Sequence, residues 1–160
     1  MRRRLDPRYC QGCIDAMVLD QTGGLDDEAT DRIVELATAC RINLLLPHSV
    51  QKELGHPNTP IVVKRRAANL LYTKPVQLTS NEREMLGRII RALRGNARPG
   101  KHDSDALHIF ESQKYTQYFI TNDTRILRKA AEIFRLVQLP IMTPTALLEL
   151  YDECVRTIPS

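Results

Sequence analysis

The chain has 160 residues, 42% hydrophobic and 26% charged, enough for one domain that buries roughly 70% of the surface its unfolded chain exposes. Its longest apolar runs fall far short of the roughly 18 residues a membrane span requires, and the arginines at 2–4 are not followed by the apolar stretch of a secretory signal. Lys and Arg number 23 against 19 Asp and Glu, a net charge of +4; Arg2, Arg3 and Arg4 account for three of these charges, so the body is close to neutral, which excludes a global basic field and leaves local patches to meet any polyanion.

Residues 1–12 read as a basic tail and 13–157 as a single domain. Cys10, Cys13, Cys40 and Cys154 are too few and too scattered for a disulfide framework. Cys10-x-x-Cys13 lacks the second pair or histidine cluster of a zinc site. They read as reduced thiols of a cytoplasmic protein, with Cys40 and Cys154 in the core. From Asp26 to Cys40 acidic residues open an amphipathic helix whose apolar positions are Ile33, Leu36, Ala37 and Cys40. Ile42 to Pro47 is short, apolar and stopped by proline, as suits a buried strand. Helical signals return over Ser49–Leu54 and Ile61–Leu71.

Thr79 and Glu82 fit a capping box ahead of the stripe Met85, Leu86, Ile89, Ile90 and Leu93, and Gly95 ends that helix. A Gly/Pro/Lys loop, Gly95 to Lys101, leads into a helix carrying Ala106, Ile109 and Phe110. Tyr118 to Thr121, aromatic and β-branched, is a strand. Ile126, Leu127, Ala130, Ile133 and Phe134 stripe the next helix. Ile141-Met142 is a last short strand before a helix with Leu147, Leu150, Tyr151 and Cys154. Strands separated by helices predict an α/β fold, a three-layer α/β/α sandwich with a mostly parallel sheet. Ligands bind such sheets at the carboxyl ends of the strands.

Four acids stand at or near such ends: Asp15 after Cys13-Ile14, Glu53 in the helix after the second strand, Asp105 at the start of a helix, and Asp123 closing Tyr118 to Asp123. Singly, each is explained by capping or by a solvated helix face. Converging on one sheet edge, they would repel unless something neutralised them. Hard oxygen donors without matched His or Cys point to Mg²⁺ or Mn²⁺, and a carboxylate-held divalent metal suits phosphodiester hydrolysis. An alternative register makes Ala16–Leu19 the first strand and Asp20 the first acid; Asp15 is preferred because Gln21-Thr22-Gly23-Gly24 follows Asp20. Asp103 is an alternative or helper to Asp105.

Ile14–Leu19, Val50–Leu54, Asp105–Ile109 and Phe119–Asp123, in that order, resemble a PIN domain, with the run Phe119 to Leu127 as the strongest part. The resemblance runs from about Ile14 to the last helix, with Met17 where the family commonly has a polar residue. It implies the same sandwich and a metal-dependent endoribonuclease, as in toxins of toxin–antitoxin pairs and RNA-processing nucleases. Asp15, Glu53, Asp105 and Asp123 would be the catalytic and metal-binding set, with Thr121 and Asn122 orienting the strand end. It also implies an antitoxin protein as partner and a homodimer.

Basic residues flank these acids. Lys64-Arg65-Arg66 follows Glu53 on a helix; Arg83, Arg88, Arg91, Arg94, Arg98 and Lys101 lead into Asp105; Arg125, Arg128 and Lys129 follow Asp123. Arg65, Arg66, Arg91, Arg94, Arg98, Lys101 and Arg125 are therefore the expected RNA-binding set, acting by salt-dependent phosphate contacts. The competing reading is a PIN-like module with a decayed site that binds RNA or protein. A carboxylate phosphatase is disfavoured by Met17, which stands two residues after Asp15 where a second Asp is needed. A receiver is disfavoured because no Lys follows a late strand as it should, and no Gly-rich phosphate loop is present.

Overall fold

Alternation along the strands sets the layers. Successive strand side chains point to opposite faces; Cys13, Leu45 and Phe119 pack into one apolar cluster, while Ile14, Leu44, Leu46, Tyr118 and Ile120 pack into another. The computed structural model describes residues 5–20 and 25–157. Among these it forms a sheet of β1 (Gln11–Ile14), β2 (Asn43–Leu46), β3 (Leu71–Tyr72), β4 (Tyr118–Ile120) and β5 (Ile141–Met142). All pairings are parallel and the order is β3-β2-β1-β4-β5.

The helices are α1 (Leu25–Thr38), α2 (Val50–Leu54), α3 (Ile61–Ala67), α4 (Ser80–Arg94), α5 (Asp103–Tyr115), α6 (Thr124–Val137) and α7 (Pro144–Arg156). Ile33 and Leu36 of α1, Val63 and Ala67 of α3 and Leu147 of α7 close over the Ile14 face. Ile89 of α4, Ile109 and Phe110 of α5, and Ile126 and Ile133 of α6 close over the Cys13 face. The protein is a three-layer α/β/α sandwich. No helix among the described residues is long and apolar enough to cross a membrane.

Local chemistry accounts for most boundaries. The Thr79 hydroxyl accepts from the Glu82 N–H and the Glu82 carboxylate accepts from the Thr79 N–H, the reciprocal cap expected for α4. Gly95, at φ +51°, ends that helix. Three expectations change. The helix expected over 61–71 stops at Ala67, and Leu71-Tyr72 pairs with Leu45-Leu46 as an edge strand too short to show a period. The domain begins before residue 13: β1 starts at Gln11 and Leu5 packs against the Ile14-side cluster. The arginines at 2–4 of the expected tail lie outside the described residues.

The third change concerns a cysteine. Cys154 is buried as expected, but Cys40 is exposed. Helix α1 stops at Thr38, and Cys40 takes φ +56° as its N–H bonds to Ala37 O while that of Arg41 bonds to Leu36 O. This is the left-handed helix stop that usually employs glycine, so extrapolating the helical stripe to Cys40 failed. Cys40→Gly should stabilise the fold by about 0.5–1 kcal/mol, because the left-handed conformation penalises a Cβ; a lower urea midpoint for the variant would contradict this. All four cysteines are free, and burial pushes the Cys13 thiol up to about 12, so the C-x-x-C presents one inert core thiol rather than a redox pair.

Candidate functional site

The strand order reverses between β1 and β4: β2 and β3 extend one side of β1, β4 and β5 the other. A crevice opens outside the carboxyl ends of the strands at such a reversal. Asp15 directly follows β1, and Thr121-Asn122-Asp123 directly follows β4. The seam is tied by hydrogen bonds from the Asp15 N–H to Ile120 O (2.9 Å) and from the Thr121 hydroxyl to Asp15 Oδ2 (2.9 Å). The same hydroxyl oxygen accepts from the Asp123 N–H at 3.0 Å, so Thr121 fixes both strand-end acids.

Asp15 is 5% exposed. It caps a 3-10 turn, Ala16–Leu19, accepting from the Met17 N–H at 3.4 Å. The turn buries Ala16, Val18 and Leu19, leaves Met17 exposed and ends at the exposed Asp20. The alternative register with Ala16–Leu19 as a strand is therefore not adopted, and Asp20 stands apart from the crevice acids. Asp123 caps α6, accepting from the N–H groups of Arg125 (2.8 Å) and Ile126 (3.4 Å). Asp105 lies in the first turn of α5, its side chain partly buried.

Arg125 holds these last two together. Its Nη2 lies 2.8 Å from Asp123 Oδ2 and 3.4 Å from Asp105 Oδ2, and its Nη1 lies 2.8 Å from His102 Nδ1. Burial pushes the Asp15 carboxyl above its ordinary value and the Asp105 charge adds to this, against the Thr121 hydrogen bond and the field of His108. Burial likewise raises Asp105, opposed by Arg125 and assisted by Asp123. Burial pushes Asp123 the same way, but hydrogen bonds from Arg125 outweigh it and hold Asp123 below the usual carboxylate range. No Lys or Arg among the described residues pairs with Asp15.

Glu53, on α2, is half-exposed; it accepts from the Ser104 hydroxyl at 2.8 Å and lies 3.5 Å from His108 Nε2. It joins the other acids through His108, whose field reaches both Asp15 and Asp105. Asp103 is exposed at the start of α5, beside Ser104. The Oδ1 of Asn122 is buried and accepts no hydrogen bond from the described residues. No family model, curated protein or solved structure matches this chain.

Not every expected residue belongs here. Arg66, expected among the RNA-binding residues, is 9% exposed, ion-paired with Asp31 and bonded to Leu19 O at 2.9 Å. It locks α3 to the 3-10 turn and has no guanidinium free for phosphate. Arg65, Arg91, Arg98 and Lys101 are exposed and Arg94 is partly buried. Arg125 neutralises two of the acids. Three residues with a part in the site or beside it were not singled out from sequence: His102, His108 and Glu111. The first two had a readable signal, since His102, Asp105 and His108 recur at a spacing of three, which places them along one side of a helix start.

Hard carboxylate oxygens suit Mg²⁺ or Mn²⁺ in chemistry. Among the described residues, however, no group of three or more His, Cys, Asp or Glu is assembled closely enough to hold one metal ion; Arg125 bridges Asp105 and Asp123 instead.

Proposed function

We propose that this chain is a PIN-like, metal-dependent endoribonuclease that hydrolyses RNA phosphodiester bonds with Mg²⁺ or Mn²⁺. The observation that carries the reading is the Asp15–Asp105 pair at the strand-order reversal, two carboxyls raised by burial and by neighbouring negative charge with no Lys or Arg on Asp15. Such an arrangement costs stability and is typical of functional sites. Asp15, Asp105 and Asp123 would hold the metal once Arg125 leaves Asp105 and Asp123 and the three carboxyls draw together, with Glu53 beyond His108. When bound, the metal would supply activated water and neutralise charge on the leaving oxygen. Thr121 keeps the Asp15 carboxyl in place and Asp123 on its cap. Arg125, half-exposed, is free to leave the acids and pair with a phosphate, for which a guanidinium is well shaped. Arg65, Arg91, Arg94, Arg98 and Lys101 supply the surrounding positive charge. An antitoxin protein and a second copy of the chain enter this proposal only through the family resemblance.

One observation favours a second reading, a decayed module that binds RNA or protein: Arg125 satisfies Asp105 and Asp123 as they stand. Calorimetric titration with Mn²⁺ at low and moderate salt separates the two. The nuclease reading expects saturable binding, weakened more than about tenfold by Asp123→Asn, as for loss of a metal-supporting group, and tightened by Arg125→Ala. Absence of binding, or binding indifferent to Asp123, would leave the acids as helix caps and put the decayed module first.

A further inference from the structure

A cavity of about 800 Å³ lies beside the acids, between α2, the segment after β3 and the start of α5. This is within the size range of small-molecule sites. Its walls include Pro75, Val76, Leu78 and Leu107, and Glu53 and Ser104 border it on the side of the proposed centre. The apolar wall also carries Glu111, a carboxyl only 3% exposed.

Glu111 is half-satisfied. The N–H and hydroxyl of Ser49 both donate to its Oε2, at 3.1 and 2.6 Å, and Oε1 takes no hydrogen bond from the described residues. An acceptor with no protein donor gains from one, and this one sits in the wall of a cavity that can admit it. The Ser49 hydroxyl donates its one hydrogen bond to Glu111, so its oxygen can otherwise only accept. At Ser49 and Glu111 the wall therefore presents two neighbouring acceptors and no donor, beside the apolar surface of Pro75, Val76, Leu78 and Leu107; His48, Gln51, Lys52 and Asp103 complete the lining.

We infer that this cavity takes a guanine base of the RNA substrate, through hydrogen bonds from its N1–H and N2–H to Glu111 and Ser49. This deepens the nuclease reading and rests on it for the choice of RNA. Single-stranded RNA is read on the Watson–Crick edges of splayed bases, and guanine alone there offers two adjacent donors. Adenine and cytosine set a ring-nitrogen acceptor beside their amino donor, and uracil flanks its N3–H with two carbonyls; each turns an acceptor toward Glu111 or Ser49. Apolar walls hold the base faces in place of aromatic stacking. Lys52, exposed and among the residues lining the cavity, would pair with the attached phosphate.

The test is calorimetric titration of the full chain, with EDTA present, using GMP, AMP, CMP and UMP as probes. GMP should bind saturably and roughly tenfold or more tighter than the others, in keeping with good paired contacts to a base edge. Glu111→Gln, which keeps an acceptor for Ser49 but puts a donor toward the base, should remove that preference. Val76→Phe, which fills the cavity, should weaken GMP at least tenfold even if Glu111→Gln proves poorly folded. Equal binding of the four nucleotides, no binding, or GMP binding untouched by both variants would overturn the inference. Because metal is absent, the outcome is separate from the Mn²⁺ titration: guanine selectivity without metal binding would keep this pocket and remove the nuclease.

Discussion

Asp15→Asn should abolish most RNA cleavage and at the same time make the protein more stable at pH 7. The activity loss is expected to be at least about a hundredfold, the scale for removing a metal-supporting or proton-handling group. The stability gain, about 1 kcal/mol, follows from the cost of holding a carboxylate that is 5% exposed and pairs with no Lys or Arg among the described residues. Asparagine keeps an acceptor for the Met17 N–H, and its amide nitrogen donates to the Thr121 hydroxyl oxygen in place of the bond that Asp15 Oδ2 accepts. The pH dependence has a definite sign. The folded-state pKa of Asp15 lies above its unfolded value of about 3.9, so the folded state binds the proton more tightly. Its contribution to stability is fully present below the unfolded value and is lost as pH rises through the raised folded value. Urea unfolding should therefore show the variant gaining on the wild type from about pH 4 upward, then holding its lead. Asp123 runs the other way: its pKa is held down, so its contribution is present at neutral pH and lost as pH falls, and Arg125 being half-exposed keeps that contribution small. A wild type as stable as Asp15→Asn at pH 7 would remove the argument that Asp15 is strained for function.

The sandwich was legible because its signals are local. Thr79 and Glu82 cap α4 as read, and Tyr118 to Ile120 is a strand of aromatic and β-branched residues that ends where Asp123 takes up its cap. The position of Asp15 was legible only to within a register, since Ala16–Leu19 is apolar enough for a strand and is buried for another reason, as a 3-10 turn under α3. Arg66 misled because Lys64-Arg65-Arg66 reads as a solvated face, while its partner Asp31 stands 35 residues away. Glu111 was invisible for the same reason: Ser49, which makes it an acceptor in the cavity wall, is 62 residues distant. Interactions across long sequence separations decide which charged side chains are structural and which face a ligand, and a single sequence carries no period for them.

Gly12→Ala should cost about 3 kcal/mol or more, at or above the upper end of ordinary overpacking. Gly12 lies opposite Tyr118 in the β1–β4 pairing. A Cβ at Gly12 would fall 2.1 Å from Tyr118 Cε2, 2.3 Å from Cζ and 2.7 Å from Cδ2. Tyr118 is fully buried and its hydroxyl has no hydrogen-bond partner among the described residues, so the ring has no space to swing into and no outward tether to follow. Burial also pushes its phenol well above the ordinary range, which marks the hydroxyl as a tolerated cost of filling this space rather than a useful group. The strands themselves would have to part, and the β1–β4 seam is the one that sets Asp15 against Thr121 and Asp123. Loss of activity in Gly12→Ala should therefore accompany loss of stability. Tyr118→Leu alone leaves a cavity and should also destabilise, but combined with Gly12→Ala it should cost less than the sum of the two single changes, because the methyl group enters space the ring has vacated. Guanidinium unfolding of the four proteins measures this coupling. A Gly12→Ala protein within 1 kcal/mol of the wild type, an order-of-magnitude threshold below the overpacking range, would show that the ring yields and that the seam does not depend on glycine.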